Sequence, residues 1–318
     1  MTAPGSVVVI GSVNLDIAVR VPRIAGPGET LLASSMSRSG GGKGANQAVA
    51  AARAGADTSF LGCLGDDADG ARLRDSLTAS GVRTDLVATV DAPTGTALIS
   101  VDDGGENAIV VVPGANAAVA APSAEQRERI AAADVLLAQL EIPQAAVVAA
   151  ARARRTGAVF ILNAAPSAPL SDELWSLIDI LVVNQHEALD LCGPDAGDVD
   201  QATRALTERV PLVVVTLGSA GAVVARRGAA PARIPSPVVV AVDTTAAGDT
   251  FCGFVAAALA RGLDILEAVR LGSSAASLAV QRRGAQDSVP TSAETRAQRD
   301  ASYPAPGTAS AEGEAGGA

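Results

Sequence analysis

Short apolar runs punctuate the chain at Val7 to Ile10, Thr58 to Leu61, Val135 to Leu140, Val159 to Leu162, Ile180 to Val183 and Leu212 to Thr216. Such runs predict strands buried on both faces. Between them lie longer amphipathic or alanine-rich stretches, Ala45 to Ala54, Gly70 to Ser80, Ala124 to Ala133, Gln144 to Arg155 and Gln201 to Arg209, which predict helices. The alternation is that of βαβ units, so the pattern predicts an α/β fold with a right-handed, mostly parallel central sheet.

Two stretches break this rhythm with strict alternation, the mark of strands covered on one face only. In the first, Asn14 and Asp16 share one face while Ile17, Val19 and Val21 share the other. In the second, Thr96 to Val101 and Ala108 to Val112 flank Asp102-Asp103-Gly104-Gly105, a composition suited to a hairpin turn. Strands at roughly 14–38 and 95–112 are therefore expected to form a small lid sheet inserted in one domain spanning 1–299. Residues 300–318 are Pro, Ala, Gly, Ser and Glu without apolar periodicity and predict a disordered tail.

Composition narrows the function. Of the 318 residues 48% are hydrophobic and only 2% aromatic, so the core must be built from Ala, Val, Leu and Ile, as in helix-covered parallel sheets. A net charge of -10 argues against a broad surface for nucleic acid or anionic lipid, although a small anion pocket needs only a few donors. The absence of a signal-like start or a membrane-length apolar run predicts a cytoplasmic protein. Cys63, Cys192 and Cys252 are far apart and suit neither a disulfide framework nor a zinc site. The lone histidine, His186, has no nucleophile motif beside it and is read as a helix-start residue.

Two glycine-containing segments concentrate the chemistry. Gly40-Gly41-Gly42-Lys43-Gly44-Ala45-Asn46 leads into an alanine-rich helix, where several amides can face a ligand. It is not a P-loop: Ser37 stands where that motif needs its first Gly, and Gly44 where it needs Ser or Thr. The second segment, Asp243-Thr244-Thr245-Ala246-Ala247-Gly248-Asp249-Thr250-Phe251, precedes a strongly helical stretch. Small residues there let consecutive N–H groups converge on an anion, and the helix dipole adds positive charge. Asp249, in the first turn, is either a capping residue or the acceptor of a hydroxyl proton in phosphoryl transfer. Glu141, Asn184 and Thr216 each end or follow a predicted strand and converge on one sheet edge, where open sheets bind ligands.

These segments together resemble the paired signatures of the ribokinase-like (PfkB) carbohydrate kinases. The resemblance runs from Val7 to about Pro290 and includes Gly11-Ser12-Val13-Asn14-Leu15-Asp16, Pro27-Gly28-Glu29-Thr30, Asn46-Gln47-Ala48, Gly105-Glu106-Asn107, Gly114-Ala115-Asn116 and Gly284-Ala285-Gln286. It implies a three-layer α/β/α domain and ATP-dependent phosphorylation of D-ribose or a similar pentose at its 5-hydroxyl. Deoxyribose, a ketose or a nucleoside are alternative acceptors, and a non-catalytic sugar-binding protein is a third reading. By resemblance the sugar contacts Asn14, Asp16, Gly42, Lys43, Gly44, Ala45, Asn46, Glu141 and Asp249, with Asp249 as base and Ala246, Ala247 and Gly248 completing the anion hole. ATP is implied at Asn184, Thr216, Leu217, Gly218, Ser219, Ala220, Gly221, Gly248, Asp249 and Ser273, the last standing where some relatives carry His. Mg²⁺ travelling with ATP is implied near Glu187 through water. An activating K⁺ is implied at Asp243, Thr245, Ala279, Arg282, Gly284 and Ser288. A homodimer through the lid follows from the same likeness.

Overall fold

A computed structural model describes residues 4–193 and 196–304. In chain order the first strands are β1 (Ser6–Ile10), β2 (Asn14–Arg20), β3 (Ser35–Gly41), β4 (Asp57–Leu61), β5 (Cys63–Gly65), β6 (Ala88–Val90), β7 (Gly95–Val101) and β8 (Asn107–Val112). They are followed by β9 (Val135–Ala138), β10 (Val159–Asn163), β11 (Ile180–Asn184), β12 (Leu212–Thr216), β13 (Ala222–Arg226) and β14 (Ala232–Ile234). The helices are α1 (Lys43–Arg53), α2 (Ala68–Ala79), α3 (Ala124–Ala132), α4 (Gln144–Ala153), α5 (Asp172–Leu177), α6 (Gln185–Cys192), α7 (Val199–Arg209), α8 (Ala247–Ala260), α9 (Ile265–Ala279) and α10 (Ser292–Ser302).

The large sheet has the order β14-β13-β12-β11-β10-β9-β1-β4. All pairs from β4 to β12 are parallel, and only the β12–β13 and β13–β14 pairs are antiparallel. Alternation within strands sorts the core into two layers, because successive side chains point to opposite faces. Val7, Val9, Leu137, Ile161 and Val182 pack with α1, α8 and α9 on one face. On the other, Val8, Ile10, Leu136, Phe160, Leu162 and Leu181 pack with α3 to α7. This is the expected α/β/α sandwich.

The lid is a separate sheet of order β3-β2-β7-β8. The turn at Asp102 to Gly105 closes the β7–β8 hairpin, with the Asp102 amide bonded to Glu106 O at 3.0 Å. β3 was expected to end near residue 38 and instead continues to Gly41, because each of its residues pairs with β2 as far as Asn14↔Gly41. The strand expected to reach Leu140 ends at Ala138, and Gln139 turns inward as a buried polar residue. At the C-terminus, a capping box of Thr291 and Glu294 starts α10, which runs to Ser302 and so passes Asp300, where the tail was expected to begin. The rest of that tail, from residue 305, lies outside the described residues. His186 is exposed in the first turn of α6, and Cys63 and Cys252 are buried free thiols. Among the described residues, no helix is long and apolar enough to cross a membrane.

Candidate active site

Among the described residues, the start of α8 leaves backbone amides without a carbonyl partner. Its N-cap, Ala246, adopts the left-handed conformation with φ 56°, the only non-glycine to do so among the described residues. The Ala247 amide bonds to Thr244 O at 3.3 Å and the Thr250 amide to Ala246 O at 2.8 Å. Between them the amides of Gly248 and Asp249 make no hydrogen bond within the described residues. A Cβ on Gly248 would meet nothing within 4 Å, so the backbone here borders open space. Two free N–H groups at the positive end of a 14-residue helix suit a phosphate or an oxyanion.

The Asp249 carboxyl is buried beside these amides, 6% exposed. Asn46 Nδ2 donates to its Oδ2 at 3.0 Å and Gln47 Nε2 to its Oδ1 at 2.9 Å. Gln47 is itself held: its Nε2 also reaches Asn163 Oδ1 at 3.0 Å, and its Oε1 accepts from Gln139 Nε2. Asn46 Oδ1 accepts from Gln286 Nε2 at 3.2 Å. Burial pushes the Asp249 acid up from the usual carboxylate range, while Lys43 and the two amide donors pull it back. The result is an oriented carboxylate whose proton affinity is raised, as a general base requires.

Asp16 lies across the same space. Its carboxyl sits directly over Gly41, where any side chain would collide with it, and it has no hydrogen-bond partner among the described residues. Burial, together with the charges of Glu141 and Asp249, raises its pKa to about 7. Glu141 Oε2 accepts from the Lys43 amide at 3.0 Å and from the Ser12 hydroxyl, which fixes the loop after β9 against the start of α1. Lys43 is enclosed among these carboxylates: burial lowers its pKa, but Asp249, Glu141 and Glu187 more than offset this and keep it raised and charged. Asn14 Oδ1 accepts from Asn116 Nδ2 at 2.7 Å, and Asn116 also clasps the Val13 backbone. Thus Asn14, Asp16, Gly42, Lys43, Asn46, Glu141 and Asp249 come together. Gly44 and Ala45 do so only as scaffold, since both are buried and the Ala45 amide is spent on Ser12 O at 2.9 Å.

A cavity of about 240 Å³ opens from Lys43 and Asp249 past Asn163, Asn184, Glu187 and Thr216. A second, of about 510 Å³, runs from Thr216 and Gly248 to Ser273 between α9 and the segment 235–242. The two share Thr216, Thr244, Ala247 and Gly248, so they form one cleft with the start of α8 at its middle. Gly218, Ser219, Gly221 and Ser273 line its outer end as expected. Leu217 does not; it packs against the apolar layer under α6 and α7. Ala220 also lies outside both linings, within the 3-10 turn that shapes the loop.

Asn184 and Glu187 form a reciprocal capping box at α6, with the Asn184 amide bonded to Glu187 Oε2 at 2.8 Å and the Glu187 amide to Asn184 Oδ1 at 2.9 Å. Glu187 still lines the cleft and its pKa is raised by burial. Of the residues expected around a monovalent cation, Asp243 is bonded to two others: its carboxylate accepts the Thr245 amide at 3.0 Å and the Gly284 amide at 2.9 Å. Ala279 O is taken by the Arg282 amide at 2.9 Å, the Arg282 guanidinium pairs with Glu294, and the Ser288 hydroxyl donates to Ala285 O.

The model of the pfkB family carbohydrate kinases matches residues 5–292. The chain belongs to this family. A ribokinase from Haemophilus influenzae is 42% identical over 294 residues, covering 90% of this chain and 96% of its own length. The crystal structure of ribokinase from Thermotoga maritima superposes with a TM-score of 0.86 at 35% identity, covering 92% of this chain and 99% of that one. A structure of Arabidopsis thaliana ribokinase complexed with ribose and ATP gives 0.87 at 35% identity, covering 93% and 99%. The chain is therefore a phosphotransferase acting on an alcohol group of a carbohydrate.

In this pfkB kinase, Gln47, Asn116 and Gln286 stand in motifs that carry the resemblance but had no role assigned from sequence, and Asn163 and Gln139 were not named. A positional signal was also present for Asn163 and Gln47. Asn163 ends the apolar run Val159 to Leu162, as Asn184 ends the next strand, and Gln47 is a polar residue inside an otherwise small-apolar helix face.

Proposed function

We propose that the chain is an ATP-dependent ribokinase, which transfers the γ-phosphoryl group of ATP to the 5-hydroxyl of D-ribose. The observation that carries this reading is the joining of a buried, doubly hydrogen-bonded Asp249 carboxylate to the free amides of Gly248 and Asp249 at the meeting point of two cavities. In this reading Asn14, Asp16 and Glu141 accept hydrogen bonds from the sugar hydroxyls, and Lys43 and Asn46 donate to its oxygens. The primary hydroxyl faces Asp249, which takes its proton as the oxygen attacks the γ-phosphorus and ADP leaves. The amides at the start of α8 then stabilise the charge that develops on the transferred group.

Glu187 would hold Mg²⁺ through water. Its carboxylate borders the cleft with one oxygen outside the capping box, a hard donor suited to a cation that keeps its waters. That ion supplies neutralisation of the phosphate charges when bound. Asp243, Thr245, Ala279, Arg282, Gly284 and Ser288 would hold K⁺, chiefly through carbonyl oxygens, and the carboxylate of Asp243 is the one anionic group in the set. Cation binding there would tighten the loop that leads into the anion hole. The protein is read as cytoplasmic and as a dimer through the lid.

Asp249→Asn tests the assignment. The amide keeps the shape of the side chain and loses the proton acceptor, so kcat should fall by about 10²–10⁴-fold while ribose affinity stays within a few-fold. Near wild-type turnover would remove Asp249 as the base.

A further inference from the structure

Asn46 and Gln47 hold the Asp249 carboxylate only while their amides point the right way. A side-chain amide has nearly the same shape at its two ends and opposite polarity, so turning it over swaps a donor for an acceptor at little steric cost. A reversed Gln47 would set its Oε1 against Asp249 Oδ1 and Asn163 Oδ1, and a reversed Asn46 would set its Oδ1 against Asp249 Oδ2.

Two further glutamines stand at the far ends of these amides. Gln139 Nε2 donates to Gln47 Oε1, and Gln286 Nε2 donates to Asn46 Oδ1 at 3.2 Å. They come from distant parts of the chain, just after β9 and between α9 and α10, yet they are placed alike. Both are buried. The oxygen end of each rests against a glycine: a Cβ on Gly11 would lie 2.0 Å from Gln139 Oε1, and one on Gly40 2.9 Å from Gln286 Oε1. Gln139 Oε1 has no hydrogen-bond partner among the described residues, a costly state for a buried acceptor that Met at this position would avoid. What the glutamine adds is its donor.

On the reading of Asp249 as the base, we propose that Gln139 and Gln286 are positioning residues: each caps the oxygen end of one amide, so that Gln47 and Asn46 turn only NH₂ ends to Asp249. Asn163 reinforces the first of these. Its Nδ2 donates to Val182 O at 3.2 Å, a carbonyl that can only accept, so its Oδ1 faces Gln47 and admits only a donor there. The two glutamines differ in reach. Gln139 acts through Gln47, which is fully buried behind the acid, whereas Gln286 acts through Asn46, which the proposed function also sets against the sugar.

The test compares Gln139→Met, Gln286→Met and Gln139→Met combined with Gln47→Met. On the acidic limb of its pH profile, Gln139→Met should lower kcat about threefold to tenfold with KM for ribose unchanged, and should have no further effect once Gln47 is Met. Gln286→Met should lower kcat and raise KM for ribose together. An undiminished kcat, or an effect of Gln139→Met that persists in full beside Gln47→Met, would overturn the proposal. ¹³C NMR of the Asp249 carboxyl, identified by its loss in Asp249→Asn, gives a readout independent of turnover. Each single variant should move its titration upward by up to about one unit, with Lys43, Glu141, Asp16, Glu187 and Cys252 still around it. An unmoved titration would also overturn the proposal. If the titration moves as expected and no sugar is phosphorylated, the positioning stands and the kinase reading falls. Should Gln139→Met not fold, Gln139→Asn, whose amide is one methylene too short for Gln47, takes its place with the same expectations.

Discussion

Asp16 is a carboxylic acid whose environment disfavours its charge: it is largely buried, unpartnered, and faces Glu141 and Asp249, so its pKa stands at about 7. Because the folded protein binds this proton more tightly than the unfolded chain, ionising it from about pH 4 to 7 erodes stability. The ionised form accepts from sugar hydroxyls through both oxygens and more strongly than the protonated acid, so KM for ribose should rise as pH falls below about 7, by up to about tenfold per unit, with Lys43 charged throughout. A KM that stays flat between pH 6 and 8.5 would contradict this. Gln47 permits a second test at the same scale. Replacing it by Met removes the donor at 2.9 Å from Asp249 Oδ1 and the link to Asn163, while Asn46, Lys43 and Glu141 remain around the acid. A hydrogen bond to a charged group is worth about 1.5–3 kcal/mol, or one to two pKa units. The acidic limb of kcat should therefore move up by about one unit with KM for ribose little changed. An unmoved limb would reduce Gln47 to a packing role.

At the level of elements, the segment 235–242 belongs to no helix or strand, yet it forms one wall of the outer cavity. It is tied at its ends: the Tyr303 hydroxyl donates to Pro235 O at 2.6 Å, and Val280 O accepts the amides of Val242 and Asp243 at 2.7 and 3.1 Å. Removing one tie, Tyr303→Phe, costs about 0.5–1.5 kcal/mol of positioning. KM for ATP should rise about threefold to tenfold, with KM for ribose unchanged; equal change in both would mean a global effect. This segment also illustrates what periodicity shows and what it does not. The parallel strands were legible because burial on both faces forces continuous apolar runs, and β2 because its two faces differ; β8, expected to be covered on one face, is instead exposed along its whole length, an apolar run that the lid leaves open on both faces. The strand Ser35–Gly41 was legible only in part, since its polar residues are strand because β2 pairs with them. The network behind Asp249 was hidden for a related reason. Gln47 meets Asn163 and Asp249 across 116 and 202 residues, and local pattern carries no record of which distant buried amides will face each other.

At the scale of the whole molecule, the lid leaves apolar surface in water. The register sets Ile17 beside Leu98 and Leu98 beside Val110, with Val19 beside Met36, on the face away from Asp16. Leu98, Val110 and Met36 are 47%, 62% and 63% exposed. Pairing with the same face of a second chain would cover this row, and β2 would carry the effect to Asp16. Leu98→Asp should therefore yield monomers by light scattering with weakened ribose affinity; a wild type that is monomeric and fully active at micromolar concentration would rule the dimer out. The central claim is the reaction itself. Its most direct test is ³¹P NMR of the products formed from ATP with a panel of ribose, deoxyribose, a ketose and a nucleoside, alongside kcat/KM for each. The account predicts ribose 5-phosphate as the product and ribose as the acceptor with the highest kcat/KM. A higher value for the nucleoside or the ketose, or phosphate on another hydroxyl of ribose, would contradict it.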